Sequence, residues 1–554
     1  MITLRGGETL FSAGEVSDTL YIVATGRLRA VFADGRVAGD IARLEPIGEI
    51  GLLTGETRGA SVHALRTSLL FAFSRIAFYT FALAEPAALM AITKVILSRM
   101  REPNREAKLR ASRKTRTIAV LAASSAVDGP AFAALLHSVL PKGATLIHSE
   151  RAASEIGPAA SSSWAEGPLR EWMSRLEFDN RYVIYDASGP EGWTRTALRQ
   201  ADRVVVVADA LAPPDAKGVS EILLKAGLRT PVDLVILRKQ GLSAAGTVAW
   251  KNALFSESHY FVRPDNRDDA ASLARQLTGY GVGLVLGGGG ARGFAHVGLI
   301  KAMKEINIPI DVCGGASMGA FIAALHASGR DVKNITEVIK DTFVNRKLLN
   351  DYTLPRVSII AGKKFRKHLQ GVFGELRAEH TPTPFFCVST NLTKGCTEVH
   401  NQGVVADWLA ASMCIPGFAP PVAYKGGLLC DGAVVNSLPT DVMQDLARGP
   451  MVASDVSTEG AIGAPGTDGP DPDFEAVYRA APDGTKVNLM DVLFRTTTLT
   501  SESGTRSRAE RADLYLRMPV GAIKTFDWPL VDDIIDKGYR HAITHLPGLL
   551  NKLA

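Results

Sequence analysis

The run Leu284-Val285-Leu286-Gly287-Gly288-Gly289-Gly290-Ala291-Arg292-Gly293-Phe294 carries an apolar strand into a glycine-rich turn and then into a helix expected over 294–305. Backbone N–H groups left free at such a turn favour negative charge. The next apparent strand, 308–313, leads into Gly314-Gly315-Ala316-Ser317-Met318-Gly319 and a second helix over 320–327. Gly-x-Ser-x-Gly between a strand and a helix reads as a nucleophile elbow. Side chains at Gly315 and Gly319 would collide with the neighbouring strand and helix, and Ser317 Oγ projects above the sheet. Two strand–turn–helix units in succession imply a parallel α/β domain.

A serine hydroxyl is a poor nucleophile until a base removes its proton. Asp431, in Leu428-Leu429-Cys430-Asp431-Gly432-Ala433, ends an apolar strand at an Asp-Gly turn. His541 and His545 stand in the order a Ser–acid–His triad needs, and spacing leaves the choice open. The glycine turn also admits a second reading: Gly288-x-Gly290-x-x-Gly293, with Asp311 about 20 residues on, matches a dinucleotide-binding fingerprint. A third alternative is a catalytically inactive, nucleotide-regulated scaffold.

The three motifs Gly-Gly-Gly-x-Arg-Gly, Gly-x-Ser-x-Gly and Asp-Gly-Ala come in the order seen in patatin-like phospholipases, which this region resembles. The segment Ala411-Ser412-Met413-Cys414-Ile415-Pro416-Gly417-Phe418-Ala419-Pro420-Pro421 extends the likeness. The resemblance implies a Ser317–Asp431 dyad without histidine. It also implies an oxyanion hole in Gly288, Gly289, Gly290, Arg292 and Gly293, and hydrolysis of acyl esters of phospholipids or lysophospholipids with no catalytic cofactor.

Upstream, residues 1–84 alternate short apolar strands, at 20–24, 28–32 and 69–73, with turn clusters, which is an all-β pattern. Ile47-Gly48-Glu49-Ile50-Gly51-Leu52-Leu53 and Arg58-Gly59-Ala60-Ser61 resemble a cyclic-nucleotide-binding β-roll, with Thr57 and Gly59 departing from the usual pattern. That resemblance implies that Glu49 takes a ribose hydroxyl and Arg58 a cyclic phosphate, with cyclic AMP or cyclic GMP as regulator. Residues 85–116 read as a helix running into a basic linker. Over 117–278, apolar strands at 118–121, 145–147, 182–185, 204–207 and 234–237 alternate with helix-length segments, implying a parallel sheet covered on both faces. Its first turn, Ala122-Ala123-Ser124-Ser125-Ala126-Val127-Asp128-Gly129, lacks the Gly-Lys-Ser/Thr ending of a phosphate-binding loop, so no nucleotide hydrolysis is expected there. β-Roll, middle α/β domain and patatin-like domain together resemble the neuropathy target esterase group of lysophospholipases.

At 554 residues, several domains are expected. With 46% apolar and 21% charged residues the chain is globular. The net charge of +5 includes nine Lys/Arg against two acids in 94–116, which alone is +7. The remainder is therefore slightly acidic, which argues against a nucleic-acid surface and leaves one basic segment for a membrane face. Five cysteines without metal spacing, no signal-like start and no long apolar run imply a cytoplasmic protein, peripheral on the inner membrane face. Residues 457–486, rich in Gly, Pro and Asp, read as a mobile insertion. Oligomeric state is not encoded in any motif.

Overall fold

The computed structural model describes the chain except residues 42, 86–89, 91–114, 159–163, 165, 211–215, 228–229, 239–245, 255, 257, 347, 447–448, 458–491, 494, 497–498, 500, 502–503 and 550–554. The basic linker apart from Thr115 and Arg116, the helix expected after Pro86 apart from Met90, and the insertion apart from Ser457 lie outside the described residues. The chain divides into two compact units, Met1–Gly281 and Val282–Ala554.

The first unit begins with two four-stranded antiparallel sheets. One is ordered Ile2–Leu4, Ser68–Ser74, Thr19–Thr25, Pro46–Ile47; the other is Thr9–Phe11, Ser61–Ala64, Leu28–Val31, Val37–Ile41. Their alternating apolar residues, among them Val23, Leu28, Val62 and Leu70, close one core. The region is not purely β: Ser74 caps a helix Arg75–Ala84 by accepting the Ala77 N–H, and Glu49–Thr54 forms a short helix.

The same unit continues as a six-stranded, all-parallel sheet in the order Ala144–Ile147, Tyr182–Asp186, Thr117–Ala122, Arg203–Asp209, Val232–Leu237, Ser258–Val262. Helices cover both faces, forming two cores. After its central strand Thr117–Ala122, Asp128 accepts the Ala131 N–H at the start of helix Gly129–Val139. A carboxylate thus sits where a phosphate-binding loop would hold its anion.

The second unit is built on an eight-stranded sheet ordered Val422–Tyr424, Gly427–Asp431, Phe385–Asn391, Val312–Ala316, Gly283–Leu286, Met451–Asp455, Leu514–Arg517, with Cys396–His400 also paired to Phe385–Asn391. The five strands from Phe385–Asn391 to Leu514–Arg517 are parallel. The strand expected at 308–313 runs instead from Val312 to Ala316. Pro309 has no N–H for a ladder, while Gly314 belongs inside the strand: a Cβ there would lie 2.3 Å from the Phe386 ring. Among the described residues, no helix is long and apolar enough to cross a membrane.

Candidate active site

Strand register brings the three motifs to one edge of the sheet. Leu286 pairs with Gly315, Ala316 with Val388, and Ser389 with Asp431. The glycine turn, Ser317 and Asp431 therefore leave the sheet at one level, outside the carboxyl ends of the central strands, where open α/β sheets place ligands.

Ser317 occupies φ 52°, ψ −123°, a conformation few L-residues adopt. The turn is held because no side chain intrudes on either flank: a Cβ on Gly315 or Gly319 would lie 2.3 Å or 2.1 Å from Leu286 O. Ser317 Oγ donates to Asp431 Oδ2 at 2.7 Å, and Asp431 Oδ1 accepts the Ala433 N–H at 2.9 Å. Burial pushes the Asp431 carboxyl up to about 6, against the opposing pull of Ala433 N–H and Ser317 Oγ. His541 and His545 stack on each other at the end of helix Val531–His545, with ring centroids 4.2 Å apart, and His545 Nδ1 meets His541 O. Among the described residues neither histidine hydrogen-bonds Ser317 or Asp431.

The oxyanion turn differs in detail from the expected set. Gly288 donates its own N–H to Ser437 O at 2.9 Å. Arg292 is buried and donates from Nε to Gly289 O at 3.1 Å, which braces the turn. Gly293 is a packing position, since a Cβ there would meet Met318 Cγ at 2.5 Å. Gly289 and Gly290 take no backbone partner for their N–H groups among the described residues, and Gly290, at φ +59°, lines the cavity.

Two supports escaped the sequence reading. His296, fully buried in the first turn of the helix Ala295–Glu305, donates from Nε2 to Gly287 O (2.8 Å) and accepts at Nδ1 from Ser454 Oγ (2.9 Å). Burial lowers its pKa to about 4, so it is a neutral imidazole. Ser412 Oγ accepts the Ser317 N–H at 3.0 Å. The sequence names Ser412 within a likeness but shows nothing of this contact.

Above Ser317 opens a pocket with about 780 Å³ of empty space, the open solvent at its mouth included. Phe343, Phe365, Phe418, Phe526 and Trp528 line it, with Phe343 and Trp528 stacked at 4.8 Å. Asp311, the ribose-binding candidate of the dinucleotide reading, is at the opposite end of the sheet. It precedes Val312, is buried, and accepts the Val282 N–H at 2.9 Å. The dinucleotide reading therefore loses its acid.

In the first unit, Glu49 and Arg58 are both buried. Arg58 donates to Thr19 O (2.7 Å) and Gly48 O (3.2 Å), and its guanidinium lies 4.1 Å from the Phe11 ring centroid.

Fold and site together define a patatin-like phospholipase domain behind a cyclic nucleotide-binding domain. A patatin-like phospholipase model matches residues 284–443, and a cyclic nucleotide-binding domain model matches 1–85. Residues 114–282 match the P-loop like domain of the neuropathy target esterase family. An uncharacterized NTE family protein of Mycobacterium tuberculosis is 32% identical over 449 residues, covering 81% of this chain and 74% of that protein. The chain belongs to the neuropathy target esterase family. It is also 29% identical to patatin-like phospholipase domain-containing protein 7 of Mus musculus, over 98% of this chain and 45% of that one. Lysophospholipase NTE1 of Pyricularia oryzae is 29% identical over 99% and 42%. The chain thus spans less than half the length of these last two relatives.

Proposed function

We propose that the chain is a serine esterase that hydrolyses acyl esters of phospholipids or lysophospholipids at Ser317. The observation that carries this is the 2.7 Å Ser317–Asp431 hydrogen bond at the base of an aromatic-lined pocket. Asp431 takes the hydroxyl proton as Ser317 Oγ attacks the acyl carbonyl. The N–H groups of Gly289 and Gly290 face the oxygen where negative charge develops. Collapse breaks the ester bond, and the departing alkoxide recovers the proton from Asp431. Water, losing a proton to the same carboxylate, then attacks the acyl carbon; the bond to Ser317 Oγ breaks, Oγ recovers that proton from Asp431, and the fatty acid leaves. Each proton has a stated origin and destination, so neither histidine nor a metal ion enters this scheme.

The substrate class follows from the related lysophospholipase and from the pocket's apolar lining, which suits a hydrocarbon chain. The same reading places the enzyme in the cytoplasm, peripheral on a membrane, with the β-roll as a module for cyclic AMP or cyclic GMP. Ser317→Ala should lower lipid and soluble ester hydrolysis by ~10³-fold or more and abolish covalent labelling by a fluorophosphonate. Retained turnover in a folded Ser317→Ala protein rules the reading out.

A further inference from the structure

Between the pocket-lining residues Phe343 and Phe365 the chain projects outward. Tyr352 bridges to Ile360, and Thr353 N–H donates to Ile359 O, making a narrow loop. The base is fixed: Ile359 and Ile360 donate their N–H groups to Gly417 O and Phe418 O, and Ile360 is buried in the pocket wall. The tip is different. All residues from 352 to 357 are exposed, and three of them are large and apolar: Tyr352 at 73%, Leu354 at 70% and Val357 at 66%. A fixed base with an apolar tip in water is an arrangement that folding alone does not explain.

Charge supplies the second observation. Residues 352–367 contain Arg356, Lys363, Lys364, Arg366 and Lys367 and no acid, a net +5. Four of these cations belong to the first turns of helix Lys363–Phe373, which follows directly from the loop. Asp351, the acid just before the segment, is engaged with the Lys364 N–H, and Lys364 Nζ with Asn350. Among the described residues Arg356, Lys363, Arg366 and Lys367 form no ion pair with a carboxylate. Arg366 also lines the pocket over Ser317.

We propose that this loop and the start of this helix form the surface by which the chain docks on an anionic phospholipid bilayer, with the pocket mouth facing the lipid. Leu354 and Val357 enter the acyl boundary, and Tyr352 sits at the headgroup level, where amphipathic rings partition. The cations contact lipid phosphates, an attraction that salt weakens. An acyl chain leaving the bilayer then reaches Ser317 without crossing water. The proposal rests on the esterase reading above and adds its interfacial partner.

The test is sedimentation of the full chain with phosphatidylcholine vesicles, with and without phosphatidylglycerol. In parallel, turnover of a water-soluble short-chain ester is measured. Leu354→Asp/Val357→Asp should weaken vesicle partitioning roughly tenfold or more and lower vesicle-lipid hydrolysis in step, with soluble-ester turnover as in the wild type. Lys363→Glu/Lys367→Glu should lose binding to phosphatidylglycerol vesicles at low salt and leave binding to pure phosphatidylcholine unchanged. Ser317→Ala should bind vesicles like the wild type, so a failed esterase reading would show there as retained hydrolysis, separately from docking. Unchanged partitioning of a soluble-ester-active Leu354→Asp/Val357→Asp protein overturns the proposal, as does a wild-type chain that sediments with neither vesicle.

Discussion

Asp431 is asked to be a base in a place that disfavours its charge. Burial lifts its carboxyl from 3.8 to about 6, so the proton-accepting form fills only as pH passes that value, and kcat/KM should rise with unit slope below about pH 6 and level above it. The stability consequence has the same sign. A carboxyl whose folded pKa is raised favours folding while protonated, below pH 3.8, and that contribution is lost as pH rises through about 6. Asp431→Asn should therefore be nearly inactive yet more heat-stable than wild type at pH 8, by up to about 3 kcal/mol; equal or lower stability there would contradict the burial account. His296 acts one contact further away. Its Nε2–H fixes the Gly287 carbonyl just before the donors at Gly289 and Gly290, so His296→Ala should lower kcat about 10–100-fold with little change in KM, with partial recovery in His296→Asn. Parallel rises in KM would make it a binding residue instead. Ser317, Gly315 and Gly319 were legible because an elbow is a local sequence pattern: the nucleophile and its two glycines fall within five residues, although the oxygen that excludes their side chains belongs to Leu286. His296 and Ser412 were not, since their partners at Ser454 and Ser317 lie 158 and 95 residues away and no local pattern records such pairing.

At the scale of elements, the β-roll is tied to the parallel sheet by one buried cluster. Arg66 donates from Nε to Asp202 (2.8 Å) and from Nη1 to Glu177 (3.0 Å), and Gln200 and Tyr185 also reach Glu177. Burial raises the Glu177 carboxyl. On Asp202 burial pushes upward too, but Arg66, Arg27 and the N–H groups of Arg116 and Thr117 outweigh it and hold that carboxyl down. Removing the shared cation leaves two buried carboxylates facing each other. Arg66→Met should cost about 3–5 kcal/mol, read as a lower denaturant midpoint for the first unit, with soluble-ester turnover at Ser317 retained in the folded protein. A midpoint within error of wild type would show that water already compensates the cluster. Sequence pattern marked five apolar strands of this sheet because Val, Ile and Leu run unbroken through Val204-Val205-Val206-Val207 and its neighbours. It missed the edge strand Ser258–Val262, whose Ser258, His259 and Phe261 are only partly buried, since a one-sided strand carries a mixed composition. The Arg66 cluster was equally invisible: it joins residues 111 and 136 positions apart.

For the whole molecule, the open issue is whether the first unit reports a ligand to the second. Residues 1–85 match the cyclic nucleotide-binding domain model, yet the arginine that would meet the phosphate is already engaged. Arg58 holds two backbone carbonyls and stacks on Phe11, which commits two of its five N–H donors, so a cyclic phosphate must compete with those carbonyls, each bond to a charged group being worth ~1.5–3 kcal/mol, or share the guanidinium with them as it gains its own charge-assisted pair. The exchange is nearly balanced. Cyclic AMP and cyclic GMP should therefore bind weakly, with Kd on the order of 0.1–1 mM, and Arg58→Ala should abolish the remaining heat in calorimetry. Micromolar binding to the wild type would mean that the carbonyl bonds are no obstacle, and equal binding by Arg58→Ala would place the ligand elsewhere. Weak binding also limits regulation, because a ligand shifts turnover only by the difference in its affinity for two states of the enzyme. At nucleotide concentrations well below Kd neither state is occupied, so the rate of ester hydrolysis should stay within about twofold on addition of micromolar nucleotide. A larger change at that concentration would require a tighter site than Arg58, as held here, provides.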